Sequence, residues 1–157
     1  MFYQKYLTYL IEHKTNIIMK KREPISHIMT KTVVTVNLND DLTQVVDKLK
    51  SNSIRHIPVV NGKKVVGIIS RTDINRLTFG ALFEGQEGSD EAVLQMLTIP
   101  QVMTAKPKTV TSTAIIRDLA EIFSKEEFHA LPVVDNDELK GIVTTTDVIR
   151  YFLEQYD

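Results

Sequence analysis

The sequence predicts an α/β chain of the mixed α+β kind, made of two β-α-β-β-α copies in tandem. The first observation is an internal repeat, the feature that decides architecture before any other. Ile28-Met29-Thr30 returns as Val102-Met103-Thr104, from position 28 to position 102, a shift of 74. Pro58-Val59-Val60 and Pro132-Val133-Val134, Gly67-Ile68 and Gly141-Ile142, and Thr72-Asp73 and Thr146-Asp147 keep that shift without a gap. The second is the alternation, inside each copy, of short β-branched runs with apolar residues at three-and-four spacing. The third is bulk: 157 residues with 43% hydrophobic and 25% charged side chains match soluble globular proteins, and a chain this long buries roughly 68 to 70% of its unfolded surface.

Residues 1–22 read as an N-terminal helical extension in which Phe2, Tyr6, Leu7, Leu10 and Ile11 share one face. That face is suited to docking on the core, to a second subunit or to a partner protein. Met19, followed by Lys20-Lys21-Arg22, also resembles a start site.

The first copy spans residues 23–84. After its Met-Thr turn, Val33 to Val36 form a β-branched run, and Leu42, Val45, Val46 and Leu49 make the apolar stripe of a helix that Asn39 or Asp40 would cap. Ile57 to Val60 and Val65 to Ile69 flank Asn61-Gly62, a strong hairpin signal. A closing helix begins near Ser70.

Residues 85–98 read as a linker with a short helix. Gly80, Gly85 and Gly88 with Glu84, Glu87, Asp90 and Glu91 suggest a solvated acidic connection before Val93, Leu94 and Leu97. The second copy, residues 99–157, repeats the plan with Thr109 to Thr111, a cap at Ser112 or Thr113, and a stripe of Ile115, Ile116, Leu119, Ala120 and Phe123. Its hairpin runs from Leu131 to Val143, and the turn Asp135-Asn136-Asp137 lacks glycine, which predicts a longer loop. Its closing helix begins near Thr144.

A net charge of −1 gives no broad attraction to phosphate backbones, so nucleic acid is not an expected partner. No apolar stretch approaches the ~18 residues of a membrane span, and Lys5, His13 and Lys14 interrupt any signal-like block, so the expected location is cytoplasmic. Cysteine is absent, which removes disulfides and thiolate chemistry. His13, His27, His56 and His129 lack metal-ligand spacing, and no nucleophile motif, P-loop or dinucleotide fingerprint occurs, so no enzyme activity and no metal are expected.

The segments with chemical character are Ser70-Arg71-Thr72-Asp73 and Thr144-Thr145-Thr146-Asp147, each following a glycine-led strand and opening a helix. Unpaired N–H groups there attract anions. The hydroxyls of Ser70, Thr72, Thr144 and Thr146 suit phosphate oxygens, and the carboxylates of Asp73 and Asp147 suit a ribose diol. The same spacing is also that of a capping box, which would satisfy the helix start internally. Residue types alone leave both readings open.

Taken together, Ile28-Met29-Thr30, His56-Ile57-Pro58-Val59-Val60 and Gly67-Ile68-Ile69-Ser70-Arg71-Thr72-Asp73, with their second-copy equivalents, resemble the CBS-domain family over Ile25 to Phe152. The resemblance implies two copies packed with pseudo-twofold symmetry, leaving two clefts that in many members bind AMP, ADP, ATP or S-adenosylmethionine. It also tilts the Ser/Thr-x-x-Asp segments toward ribose and phosphate contacts. Basic side chains at Arg55, His56 and His129 are implied to face the phosphates. An adenine slot is implied around Thr30 and Val34 in one copy and Thr104 and Lys108 in the other, with Ile68 and Ile142 as floor. Ala130 stands where the first copy has His56, so unequal occupancy of the clefts is expected. The implied function is a ligand-sensing regulatory module that signals to a separate effector by population shift, usually as a homodimer. The alternative is a dimerisation or docking scaffold with empty clefts.

Overall fold

The computed structural model describes residues 4–11, 22–78 and 87–156. In chain order these form helix α1 (residues 4–11), a 3-10 turn (Ile25–His27), β1 (Val36–Asn37), α2 (Leu42–Ser51), β2 (His56–Asn61), β3 (Lys64–Ser70) and α3 (Arg71–Leu77). There follow α4 (Glu87–Met96), α5 (Ile99–Val102), β4 (Thr104–Ala105), α6 (Ile116–Lys125), β5 (Ala130–Asp135), β6 (Glu138–Thr144) and α7 (Thr145–Leu153). Phe2, Met19, Lys20, Lys21, Gly80, Glu84 and Gly85 lie outside the described residues.

The helices form for the reason their stripes suggest. Leu42, Val45 and Leu49 of α2 are buried, as are Ile116 and Leu119 of α6. Their starts differ from expectation. Asp41, not Asn39 or Asp40, is the N-cap of α2, because the Asp40 carboxylate turns back to accept from the Asn37 backbone N–H at 2.8 Å. Helix α6 starts behind Ile115 rather than Ser112 or Thr113; the Ser112 N–H instead donates to the Asp135 carboxylate at 3.0 Å.

The hairpins match residue for residue. β2 and β3 pair antiparallel from His56↔Ser70 to Asn61↔Lys64, and β5 and β6 from Ala130↔Thr144 to Asp135↔Glu138, with a bulge at Val59/Val60 and again at Val133/Val134. The second turn is not longer than the first. Asn136 and Asp137 hold φ of 50° and 64°, and that pair of positive values closes a two-residue loop without glycine. In the first hairpin the loop residues are Gly62 and Lys63, one position beyond the Asn61-Gly62 pair.

The copies are held together by exchange of their leading segments. β4, from the second copy, pairs with β3 of the first through Ile68↔Thr104, and Thr30 of the first pairs with Ile142 of β6 in the same antiparallel sense. Pro24 bridges Ile115, and Thr98 bridges Asp41. The core of the first copy therefore contains Ile99, fully buried, alongside Val45, Ile57 and Ile69; the core of the second contains Ile25, also fully buried, alongside Leu119, Leu131 and Val143. Burying a side chain of this size stabilises by roughly 1.5–3 kcal/mol, so each copy supplies part of the other's core. Leu94 of α4 is buried in the first core as well.

Gly67 and Gly141 make this exchange possible. A Cβ on Gly141 would lie 2.7 Å from the Met29 sulfur and 2.9 Å from the Thr30 carbonyl oxygen, and one on Gly67 would overlap the Met103 side chain. Each Met-Thr turn thus lies directly on the other copy's glycine. Among the described residues, no helix is long and apolar enough to cross a membrane.

Candidate functional site

The hairpins place the site. His56 opens β2 opposite Ser70 at the end of β3, and the Arg71 N–H donates to the Arg55 carbonyl at 2.8 Å. Ala130, Thr144, Thr145 and His129 repeat that geometry, with the Thr145 N–H donating to the His129 carbonyl at 3.0 Å. The open ends of the two hairpins consequently meet, and the exchanged Met-Thr segments cover them from either side. Two cavities result, of about 760 Å³ and about 350 Å³. Both fall within the roughly 300–1,000 Å³ of small-molecule sites.

Each cavity is built from both copies. The larger brings Thr30, Val34, Arg55 and His56 of the first copy against Ile142, Thr144, Thr146 and Asp147 of the second. The smaller brings Thr104, Lys108, His129 and Ala130 of the second copy against Ile68, Ser70, Thr72 and Asp73 of the first. His56, Ser70, Thr72 and His129 line both and form the partition. Every residue singled out for ribose, phosphate or adenine contact thus faces one cavity or the other. The helix-start segment of each copy works opposite the Met-Thr turn of its neighbour.

The capping box and the open cleft coexist. Asp73 Oδ2 accepts from the Ser70 N–H at 2.8 Å and from the Ser70 hydroxyl at 2.6 Å, and the Ser70 oxygen accepts from the Asp73 N–H at 3.1 Å. Thr144 and Asp147 repeat the arrangement at 2.8, 2.7 and 3.3 Å. Because a hydroxyl has a single hydrogen, those of Ser70 and Thr144 are committed to their own aspartates. This corrects the expectation that all four hydroxyls donate to phosphate: Thr72 and Thr146 remain for that role. Among the described residues nothing hydrogen-bonds to Oδ1 of Asp73 or Asp147, so each carboxylate has one oxygen outside its capping box.

Charge is distributed unevenly. His56 is half-buried, and its pKa is lowered from 6.5, first by desolvation, then by His129, with Asp73 opposing and Arg55 adding to the effect. A lowered histidine is neutral near pH 7. The fixed positive charge of the larger cavity therefore comes from Arg55, Arg71 and Arg150. Arg71 also donates to the Leu49 and Ile54 carbonyls at 3.3 and 3.1 Å, closing the end of α2. In the smaller cavity Lys108 lies 3.2 Å from Glu126 and 5.9 Å from the centre of the Phe128 ring.

Arg76, Arg150 and Phe128 line the cavities but escaped the sequence reading. The two arginines did carry a signal: they keep the shift of 74 and follow Thr72 and Thr146 by four residues, which places them on the same helix face.

The sequence profile of the CBS domain matches residues 25–79 and 99–154. The uncharacterized protein MJ1225 of Methanocaldococcus jannaschii is 30% identical over 134 residues, which cover 84% of this chain and 48% of that protein. Its crystal structure superposes with a TM-score of 0.72. The chain thus spans about half the length of that relative. The CBS domain pair of protein MJ0100, solved in complex with 5-methylthioadenosine and S-adenosyl-L-methionine, is 27% identical with a TM-score of 0.69, covering 85% of this chain and 98% of that one. CBSX2 of Arabidopsis thaliana, solved in complex with AMP, shares the fold at 23% identity and a TM-score of 0.70, covering 85% of this chain and 98% of that one.

Proposed function

The chain belongs to the CBS-domain family, and from that membership we propose that it is a regulatory sensing module that binds an adenosine nucleotide between its two copies. The observation that carries this reading is the larger cavity. There the free carboxylate oxygen of Asp147 and the Thr146 hydroxyl stand across about 760 Å³ from Thr30, Val34 and the basic edge at Arg55. A sugar diol suits the first, a phosphate the second and the last, and a flat base the apolar slot beside Val34 and Ile142. MJ0100, with its adenosine-derived ligands, supports the ligand class.

Occupancy would act by mass action on shape. Each cavity spans both copies, so a ligand touching both favours the arrangement in which they lie closest, and a partner that distinguishes the arrangements reads the difference. Calorimetry with AMP, ADP, ATP and S-adenosylmethionine tests the reading. One or more is expected to bind and to raise the melting temperature. Asp147→Asn, which keeps a capping acceptor but removes the charge, is expected to weaken that binding. Absence of heat with every one of these ligands at millimolar concentration would remove the sensing function.

A second reading, a dimerisation or docking scaffold, is favoured by one specific feature. Ile149, Phe152 and Leu153 of α7 and Tyr156 beyond it are 57%, 48%, 61% and 88% exposed, a concentration of apolar surface of the kind that marks interaction sites. Light scattering of the wild-type chain and of an Ile149→Glu, Phe152→Glu double variant distinguishes the two. A scaffold loses mass on substitution and, by the same calorimetry, binds no adenosine ligand in either form, whereas a sensor keeps its ligand binding whatever its mass.

A further inference from the structure

Resting on the adenosine reading above, we propose that the two clefts take different classes of ligand. The larger takes an adenosine nucleotide bearing a di- or triphosphate, and the smaller takes an adenosine compound without phosphate.

The lining charges carry the argument. In the larger cleft three arginines, Arg55, Arg71 and Arg150, face a single carboxylate, Asp147. In the smaller, Arg76 and Lys108 are balanced by Asp73 and Glu127. Among the described residues Arg55 and Arg150 form no ion pair, whereas Lys108 is engaged by Glu126 at 3.2 Å. Guanidinium groups bind phosphate oxygens through paired N–H donors, so two uncommitted arginines plus the free donors of Arg71 have the valency for more than one phosphate. A cleft of balanced charge offers a polyphosphate little beyond desolvation cost.

Size and wall chemistry agree with charge. The larger cleft has about twice the volume, about 760 against about 350 Å³. Where the first copy presents Ile54 to the larger cleft, the second presents Phe128 to the smaller. An aromatic face compensates for missing phosphate contacts by packing on a base. The asymmetry is written into the repeat: at a shift of 74, Arg55 becomes His129 and Arg71 becomes Thr145.

Calorimetry of the full chain with ATP, AMP and adenosine, at low and high salt, tests this. The probes differ only in phosphate. ATP is expected to bind more tightly than adenosine and to lose affinity with salt, while adenosine is insensitive to salt. Arg55→Gln and Arg150→Gln are each expected to weaken ATP by roughly tenfold, the worth of a charge-assisted hydrogen bond, and to leave adenosine unchanged. Arg76→Gln and Lys108→Gln are expected to leave ATP within about twofold, well under one such bond. Thermal melts of the four variants, all at exposed side chains, are expected to superpose on the wild type. Equal losses of ATP affinity from both pairs of variants, or adenosine binding as tightly as ATP, would overturn the division of labour while leaving the adenosine reading intact. No binding by any of the three would overturn both.

Discussion

The two copies are alike where they hold each other and at the helix starts that line the clefts, and unlike along the cavity edges. Ile25 and Ile99 occupy equivalent sockets at zero exposure, and the Thr30↔Ile142 pairing has its counterpart in Thr104↔Ile68. At the cavity edge, by contrast, His56 faces Ala130 across the repeat, Arg55 faces His129, and Val34 faces Lys108. Packing has preserved the symmetry of the repeat, as have the Ser/Thr-x-x-Asp segments with their following arginines, while the rest of the cavity edge has not. A close-packed interior penalises every change of shape, while a solvent-filled cleft tolerates any side chain that leaves the backbone in place.

The comparison is most sharply tested in the interior. Ile25→Ala and Ile99→Ala are each expected to cost about 2–5 kcal/mol in urea denaturation, from lost burial plus the cavity left behind. Costs differing severalfold would mean that one copy dominates the stability of the pair. Next come the glycines. Gly141→Ala would drive a methyl against the Thr30 carbonyl, part of the backbone ladder, and is expected to cost about 1–3 kcal/mol. For Gly67→Ala the three nearest atoms all belong to the Met103 side chain rather than to backbone, and the change is expected to cost less.

Removing the caps by Ser70→Ala and Thr144→Ala is expected to destabilise each by about 0.5–2 kcal/mol. Calorimetry then separates the clefts, because only the Thr144 change alters the lining of the larger one alone. The smallest effect belongs to His56→Ala, which gives the first copy the residue of the second. The folded protein holds this imidazole below 6.5, so above 6.5 folding carries no penalty from it. As pH falls below 6.5 the unfolded chain takes up the proton more readily, and stability declines toward the folded pKa. The variant is expected to flatten that part of a pH–stability curve.

The architecture was readable because the repeat keeps its register through every landmark, and the apolar stripes of α2 and α6 needed no tertiary information. The capping residues were not readable: Asp40 and Ser112 are competent caps by type, and only the neighbouring Asn37 N–H and Asp135 carboxylate decide where their polar groups go. The turn at Asn136-Asp137 is shorter than its lack of glycine predicts because two residues tolerant of positive φ replace the single glycine of the other hairpin. For the site, motif spacing found the aspartates and hydroxyls. It could not tell which copy's helix start would face which copy's Met-Thr turn, since periodicity carries no information about partners in space. Nor does spacing reveal where the one hydrogen of Ser70 or Thr144 points.

The reciprocal lodging of Ile25 and Ile99 sets the minimum heritable unit. A gene for one copy alone would encode a strand edge without its neighbour and an empty apolar socket, and it could complete itself only by meeting a second identical molecule related by a twofold axis. Fusing two such molecules end to end keeps that axis at the sockets while freeing the two cleft faces to diverge. The inequality between Arg55 and His129 is open to a covalent pair and denied to a symmetric one.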